Sequence, residues 1–557
     1  MSLDFSRYGL TPYGKTPNPR QLEHMKMEKK AFIHFGVNTF TGKEWGLGDE
    51  TEKLFAPTQL DTRQWARVAK EAGCRIVILT AKHHDGFCLW HTKYTEHNIK
   101  NSPYKKDLVK EFADACREYG LLVGIYISPW DRSVKEWATP AYDAFFNNQL
   151  TELLTGYGRI DEVWWDGAGS NEVRYDWDLW CRTVRTLQPT AAIFGGTKDT
   201  ADLRWVGNEK GVAGTTHYGS LEIDDLTGYP ADKLNRGQQN GNMYIYSETD
   251  VSIRPGWFYH EDQDVFVKTP AILDEIWFTS VGRNSNLLLN FPPDKRGLIH
   301  ERDAEYARIS HENIERMRSV NYADGATITA DTVLSPAFSA ENVISPDEDL
   351  VYASALDTTE AVFDIMLDSP KAVNVLALGE VIEFGERINS FTLESLDSDI
   401  PKTLCEGTSV GFYRAVKFDT GTYQHLRLTL RGAASIILRR MALHLYTAPD
   451  FDPPVKAYGI NLVTPRGTTV SDGGTSAVLA FGGIYEFNSV RATLTAPSDY
   501  VLEIFDGTNY QLSTRGSTDG TALSISLPTP ECGSYQIRLT TSAPFAADPE
   551  FAVSLEK

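Results

Sequence analysis

A chain of 557 residues with 41% apolar and 23% charged side chains has ordinary globular composition but is too long for one core, so two to four domains are expected. A formal charge of −21 argues against nucleic acid or an anionic membrane as partner, since both are recognised through clustered Lys and Arg. No apolar run reaches membrane-spanning length, and the six cysteines, with no C-x-x-C pair, define neither a zinc site nor a disulfide framework.

The first 320 residues alternate strand-like and helix-like segments. Phe32 to Gly36 is a short apolar strand. Asp61 to Ala72 follows as a helix, with Trp65, Val68, Ala69 and Ala72 on one face and Gly73 as its stop. A strand at Arg75 to Thr80 precedes a helix at Asp107 to Tyr119, which buries Leu108, Phe112 and Cys116. Leu121 to Ile127 is the third strand, a helix starts after Pro140, and Glu162 to Trp165 is the fourth. Further strands are expected at Ala191 to Phe194, Leu203 to Val206, Met243 to Tyr246 and Asn286 to Leu289, with a closing helix near Asp303 to Arg318. Eight strands in this length fit a (β/α)8 barrel over residues 1–320. A doubly wound sheet is the competitor, but no Gly-rich phosphate fingerprint follows the first strand.

Beyond Val320 the period changes to two. Phe363, Ile365 and Leu367 alternate with other residues, as do Leu426, Leu428 and Leu430, which predicts an antiparallel β-sandwich over 321–448. A Pro-rich joint at 449–454 separates it from a second sandwich over 455–557, where Leu523, Ile525 and Leu527, then Tyr535, Ile537 and Leu539, alternate in the same way.

A barrel of this kind carries its chemistry at the C-terminal strand ends. There the chain offers His34, His83-His84-Asp85, Tyr126, Asp131, Asp166, Glu209 and Glu248. Any one of them alone is more often structural than functional; their concentration on one rim is the signal. Adjacent histidines on an extended chain point to opposite faces, which disfavours a metal site, and neither metal nor cofactor is expected. A neutral imidazole can instead bond sugar hydroxyls. Two carboxylates can cut a glycosidic bond, one ionised and one protonated. Asp166, at the end of Val163-Trp164-Trp165-Asp166-Gly167, is the natural anion; Glu209 and Glu248 compete for the acid, and spacing does not separate them.

Phe32-Ile33-His34-Phe35-Gly36-Val37-Asn38-Thr39-Phe40, Leu79-Thr80-Ala81-Lys82-His83-His84-Asp85-Gly86-Phe87 and Val163-Trp164-Trp165-Asp166-Gly167 resemble glycoside hydrolase family 29, the α-L-fucosidases. So do Ser252-Ile253-Arg254-Pro255-Gly256-Trp257-Phe258 and Gly282-Arg283-Asn284-Ser285-Asn286. The resemblance implies a retaining exo-α-L-fucosidase with Asp166 as nucleophile, acting on fucosylated oligosaccharides or glycoconjugates. Trp205-Val206-Gly207-Asn208-Glu209 resembles the subfamily preferring α-1,3 and α-1,4 linkages and points to Glu209 as acid/base. A broad linkage range, or a fucose-binding barrel without turnover, are the alternatives. By the same matching His34, Glu44, Trp45, His83, His84 and Tyr126 would hold the fucose, with Arg254 and Trp257 as further members. The first sandwich resembles a galactose-binding-like jelly roll acting as a buttress, and the last is an accessory sandwich that could bind sugar. No signal-peptide h-region opens the chain. Because such enzymes act on external glycans, a secreted or periplasmic location is nonetheless expected.

Overall fold

The computed structural model describes residues 5–169, 173–223, 230–449, 459–463, 467–471, 473–505 and 510–556. Eight parallel strands close into a barrel in chain order: β1 (Lys29–Ile33), β2 (Ile76–Lys82), β3 (Leu122–Ile127), β4 (Glu162–Trp164), β5 (Ala192–Phe194), β6 (Leu203–Trp205), β7 (Tyr246–Ser252) and β8 (Asn286–Asn290). Strand β8 completes the ring against β1, pairing Lys29 with Leu287 and Phe32 with Asn290.

The two-residue period of a strand sorts its side chains into two cores. Ala31, Ile33, Val77, Leu79, Val163 and Ile193 face outward against helix residues such as Trp65, Phe112, Leu150 and Trp180. Phe32, Ile78, Tyr126, Trp164, Phe194 and Tyr246 fill the barrel interior. The helices form for the reasons read from the chain. Asp61 caps Thr62–Glu71 by accepting from the N–H groups of Arg63 and Gln64, and Asp107 caps Leu108–Glu118 through Lys110 N–H. Pro140 opens the helix to Gly156 at its first turn, where a missing N–H costs nothing.

Three expectations are corrected. Met243 to Tyr246 is not one strand: Met243–Tyr244 pairs with Ser220–Leu221 in a separate ribbon, and the barrel strand starts at Tyr246. The apolar run straddles two elements, so its composition hides the break. No helix connects β5 to β6, because residues 195–202 form a loop. Lastly, the N-terminus belongs with the first β domain rather than the barrel, since Phe5 and Leu10 pack against Phe338, Val351, Val381 and Ile437.

After the helix Glu301–Arg318 comes a seven-stranded antiparallel sheet, dominated by two long strands at Glu360–Glu380 and Arg414–Gly432. Phe363, Ile365, Leu367, Leu426, Leu428 and Leu430 are all in its core, as their alternation predicts. Further along, Leu376 and Leu378 stay in that core while Val375 and Ala377 join the barrel's outer core, which is how the domain attaches. The last sheet has six strands around Leu523, Ile525, Ile537 and Leu539; the side chain of Tyr535 and all of the Pro-rich joint but Pro449 fall outside the described residues.

Glu386 locks the first β domain onto the barrel. Its buried carboxylate accepts from Gly219 N–H at 2.8 and 2.9 Å, from Ser220 N–H at 3.3 Å and from Asn284 Nδ2 at 2.8 Å. Glu386→Ala should strand those buried donors and lower the unfolding free energy by about 3 kcal/mol in a urea titration. An unchanged midpoint would mean water replaces the carboxylate without loss.

Candidate active site

A cavity of about 470 Å³ opens at the C-terminal ends of the barrel strands. Of the site residues read from the chain, His34, Glu44, Trp45, His83, His84, Tyr126, Asp166, Glu209 and Trp257 all line it.

Asp166 follows β4, two residues beyond Trp164 and therefore on the same inward side. Tyr126 donates its hydroxyl to Asp166 Oδ2 at 2.9 Å, and Ala168 N–H donates to Oδ1 at 2.8 Å, so both oxygens are oriented. Gly169 adopts φ +69°, and a Cβ there would sit 2.3 Å from the Trp130 ring. Both the backbone angle and the close approach require glycine.

The histidines arrive from two strands. Asn290 Nδ2 donates to Ser252 Oγ and to Trp257 O, both at 2.9 Å, so its Oδ1 must accept from His34 Nδ1 at 2.9 Å. That leaves His34 Nε2 as an acceptor. Ser128 Oγ gives its hydrogen to Trp130 O and accepts from His84 Nδ1, each at 2.7 Å. His84 Nε2 then stands 3.6 Å from Asp166 Oδ2, ready to accept from a hydroxyl between them. Burial pushes His34 down to about 4. Burial, with His84 and His34 beside it, holds His83 well below the usual imidazole range, and burial lowers His84 against the pull of Asp166. All three rings are neutral at neutral pH.

The expectation that His83 and His84 point apart is overturned. Strand β2 ends at Lys82, and the chain turns there with Gly86 N–H donating to His83 O, so strand alternation no longer applies. Their ring centroids lie 4.1 Å apart. With Asp166 they offer three ligand atoms within 4.8 Å of one another, a spacing that could hold a cation. The same atoms suit vicinal hydroxyls.

Glu44 and Trp45 come from the loop after β1. Glu44 accepts from Trp257 N–H and from His260 Nε2, both at 2.9 Å. Burial alone would raise its carboxyl, but these bonds outweigh burial and hold it below the usual range. Trp45 is half exposed at the mouth, edge-on to Trp130 at 5.5 Å. Trp164 forms the floor, stacked on Phe194 at 4.0 Å and on Tyr126 at 5.4 Å.

Arg254 does not join the pocket. Its guanidinium is buried in bonds to Asp303, at 2.7 and 2.9 Å, and to Asp264 at 2.6 Å, and it lies over the Tyr259 ring. Two acids pull it behind the rim, where it braces the loop that carries Trp257.

The two acid candidates also separate. Glu248 is fully buried beneath the pocket, accepting from Trp164 Nε1 at 2.9 Å and paired with Lys30. Glu209 stands exposed on the cavity wall. Beside it are residues that the chain reading passed over. Arg204 is buried and donates to four carbonyls, among them Leu234 O at 3.0 Å and Tyr218 O at 2.7 Å. Trp205 donates from Nε1 to Asp250 Oδ1 at 2.8 Å. Burial, with Glu209 nearby, pushes the Asp250 carboxyl well above its usual range. Asp250 was findable, since it shares the parity of Glu248 one layer higher on β7.

A family model for α-L-fucosidase matches residues 14–309. Alpha-L-fucosidase 1 of Arabidopsis thaliana is 38% identical over 420 residues, covering 72% of this chain and 81% of its own length. The crystal structure of a glycoside hydrolase 29 family member from an unknown rumen bacterium is similar with a TM-score of 0.72 and 32% identity, over 98% of this chain and 100% of that one. A Ruminococcus gnavus GH29 fucosidase in complex with fucose is similar with a TM-score of 0.73 and 28% identity, over 78% of this chain and 96% of that one. With these likenesses spanning the barrel that builds the cavity, the chain belongs to the α-L-fucosidases of glycoside hydrolase family 29.

Proposed function

We propose that the enzyme is a retaining exo-α-L-fucosidase of α-1,3/1,4 preference, with Asp166 as nucleophile and Glu209 as general acid/base. The observation that carries this reading is that Asp166, oriented through both oxygens, shares one cavity with Glu209 while Glu248 is buried below. A volume of about 470 Å³ lies within the usual range for small-molecule pockets. Trp164 closes its floor, which suits a terminal sugar rather than a chain passing through. The fucose bound in the R. gnavus relative supports the same occupant here.

Fucose is uncharged, with hydroxyls on one side and a methyl at C5. The neutral rings of His34, His83 and His84 offer lone pairs to the hydroxyls, and Phe32, Trp164 and Trp257 offer an apolar wall. In the first step the Asp166 carboxylate attacks C1 as the bond from C1 to the leaving oxygen breaks, and Glu209 gives that oxygen its proton. In the second, Glu209 takes a proton from water, the hydroxide oxygen attacks C1, and Asp166 leaves as carboxylate. Two inversions return the α configuration. The linkage preference rests on the Trp205-Val206-Gly207-Asn208-Glu209 likeness.

Proton NMR of the sugar first released from an aryl α-L-fucoside should show α-fucose; β-fucose would refute a retaining course. Asp166→Asn should lower kcat on the order of 10⁴-fold for every substrate. Glu209→Ala should lose about 10²–10⁴-fold on glycans and much less on aryl fucosides with good leaving groups. If Glu248→Ala gives that leaving-group pattern instead, the acid is misassigned. Release from α-1,2, α-1,3, α-1,4 and α-1,6 fucosides decides the linkage.

The neutral histidines set a pH dependence. His34 titrates near 4 in the folded protein against 6.5 in the free side chain. Between those values the unfolded chain binds a proton that the native chain does not, so stability rises with pH there and is lost on acidification. Urea midpoints should therefore fall as pH drops from about 6.5 to 4, while fucose affinity measured by calorimetry stays level between about pH 6.5 and 8. Affinity that climbs as imidazoles protonate would rule out a neutral pocket.

A further inference from the structure

A second cavity, of about 810 Å³, lies at the opposite end of the barrel, where β1, β2 and β3 begin. Five basic side chains and two acidic ones line it, in a chain whose net charge is −21. Such a reversal of the overall charge on one concave surface calls for a cause.

The partners of these side chains divide the cations into two sets. Arg318 is already neutralised, bonded to Glu28 at 2.8 and 3.1 Å and 3.6 Å from Glu315. Lys26, exposed, pairs with Glu23 at 3.0 Å. The other three have no carboxylate partner among the described residues. Lys29, the first residue of β1 and only 9% exposed, donates to Ala72 O at 2.8 Å and makes no ion pair. Lys70, at the end of the helix Thr62–Glu71, donates to Tyr119 O at 3.0 Å. Arg75, just before β2, is exposed and makes no side-chain bond among the described residues. An ammonium has three donors and a guanidinium five, so most of the donors on these three groups are uncommitted. Asp274 and Glu315 favour the Lys29 charge without forming an ion pair with it among the described residues, and an anion in the cavity would add to that support against the cost of burial. Burial does lower Lys29 from its ordinary value.

We propose that this cavity binds a tetrahedral oxyanion, phosphate or sulfate, held by Lys29, Lys70 and Arg75. Such an anion presents several acceptor oxygens to the three cations lining the cavity, and charge-assisted bonds of this kind are the strong ones. Trp277 and Tyr119 also line the cavity, whose size leaves room for a sugar carrying the anion. The site is independent of the catalytic pocket and of the fucosidase assignment.

Calorimetry of the full chain with inorganic phosphate and inorganic sulfate, against chloride at matched ionic strength, tests it. One saturable site should appear for at least one of the two oxyanions and not for chloride. Arg75→Ala and Lys70→Ala, both at exposed positions, should each weaken it at least tenfold, while kcat/KM on an aryl fucoside stays within twofold. Lys29→Met should abolish binding if it folds, but the two exposed variants suffice. Glucose 6-phosphate and galactose 6-sulfate then separate the sources: an ester binding tenfold tighter than its free ion identifies a sugar-borne anion, and equal affinity identifies the ion itself. No oxyanion binding beyond chloride, binding unchanged in both exposed variants, or displacement of the anion by fucose overturns the proposal.

Discussion

The site stands on a buried charge cluster inside the barrel. Lys30 of β1 donates to Glu162 of β4 at 2.7 Å and is paired with Glu248 of β7, while His24 lies 3.2 Å from Glu162. Lys30, Glu162 and Glu248 are all fully buried. Burial would lower Lys30, but the two carboxylates outweigh it and hold the ammonium above its usual range. Burial, together with Glu162, pushes Glu248 up to about 7. Breaking such a cluster from one side leaves a buried charge without its partner, at a cost of about 3–5 kcal/mol. The cluster therefore fixes where Glu248 sits, and Glu248 holds the indole N–H of Trp164, the pocket floor. Tyr126, stacked on Trp164, in turn bonds Asp166, the proposed nucleophile.

Because strands alternate, this is a stack of layers climbing the barrel. Along β1 the inward residues are Lys30, Phe32 and His34; along β4 they are Glu162, Trp164 and Asp166; along β7 they are Glu248 and Asp250. Charge lies at the bottom, aromatics in the middle and the cavity-lining His34, Asp166 and Asp250 on top. The aromatic layer separates Glu162 and Glu248 from the pocket, so Asp166 lines the cavity without either of them in the same space. Burial, which outweighs the pull of Asp166 on His34 and His84, keeps the histidines neutral above it, matching a substrate that carries no charge.

Much of this could be read from the chain because strand period and strand-end chemistry are local. Val163-Trp164-Trp165-Asp166-Gly167 announces a buried strand ending on an acid, and Asp61 and Asp107 announce helix starts that the structure has. What failed to be read depends on where the chain leaves its element. His83 and His84 converge because β2 stops one residue before them. The depth of Glu248 is likewise invisible in the chain: it lies mid-strand, two layers below the end of β7 at Ser252, whereas Glu209 lies in the loop after β6. Arg254 sits in a family-like motif, yet its direction is set by Asp264 and Asp303, one of them far along the chain. No local pattern carries that contact.

The first β domain is also more than an appendage. Glu386 holds Gly219 and Ser220 by their N–H groups, and the carbonyls of Tyr218 and Gly219 accept from Arg204. Arg204 lines the catalytic cavity, one residue before Trp205 and in the same segment as Glu209. Anchored carboxylate, pinned loop and buried guanidinium form a continuous path from the β domain to the wall that carries the proposed acid. A buttress of that kind acts on the substrate side of the site, because Asp166 is oriented independently, from β3 and from the turn after β4. The two proposed catalytic carboxyl groups therefore have separate supports: Asp166 depends on the barrel's own layers, and the position of Glu209 depends on a second domain folding against the barrel.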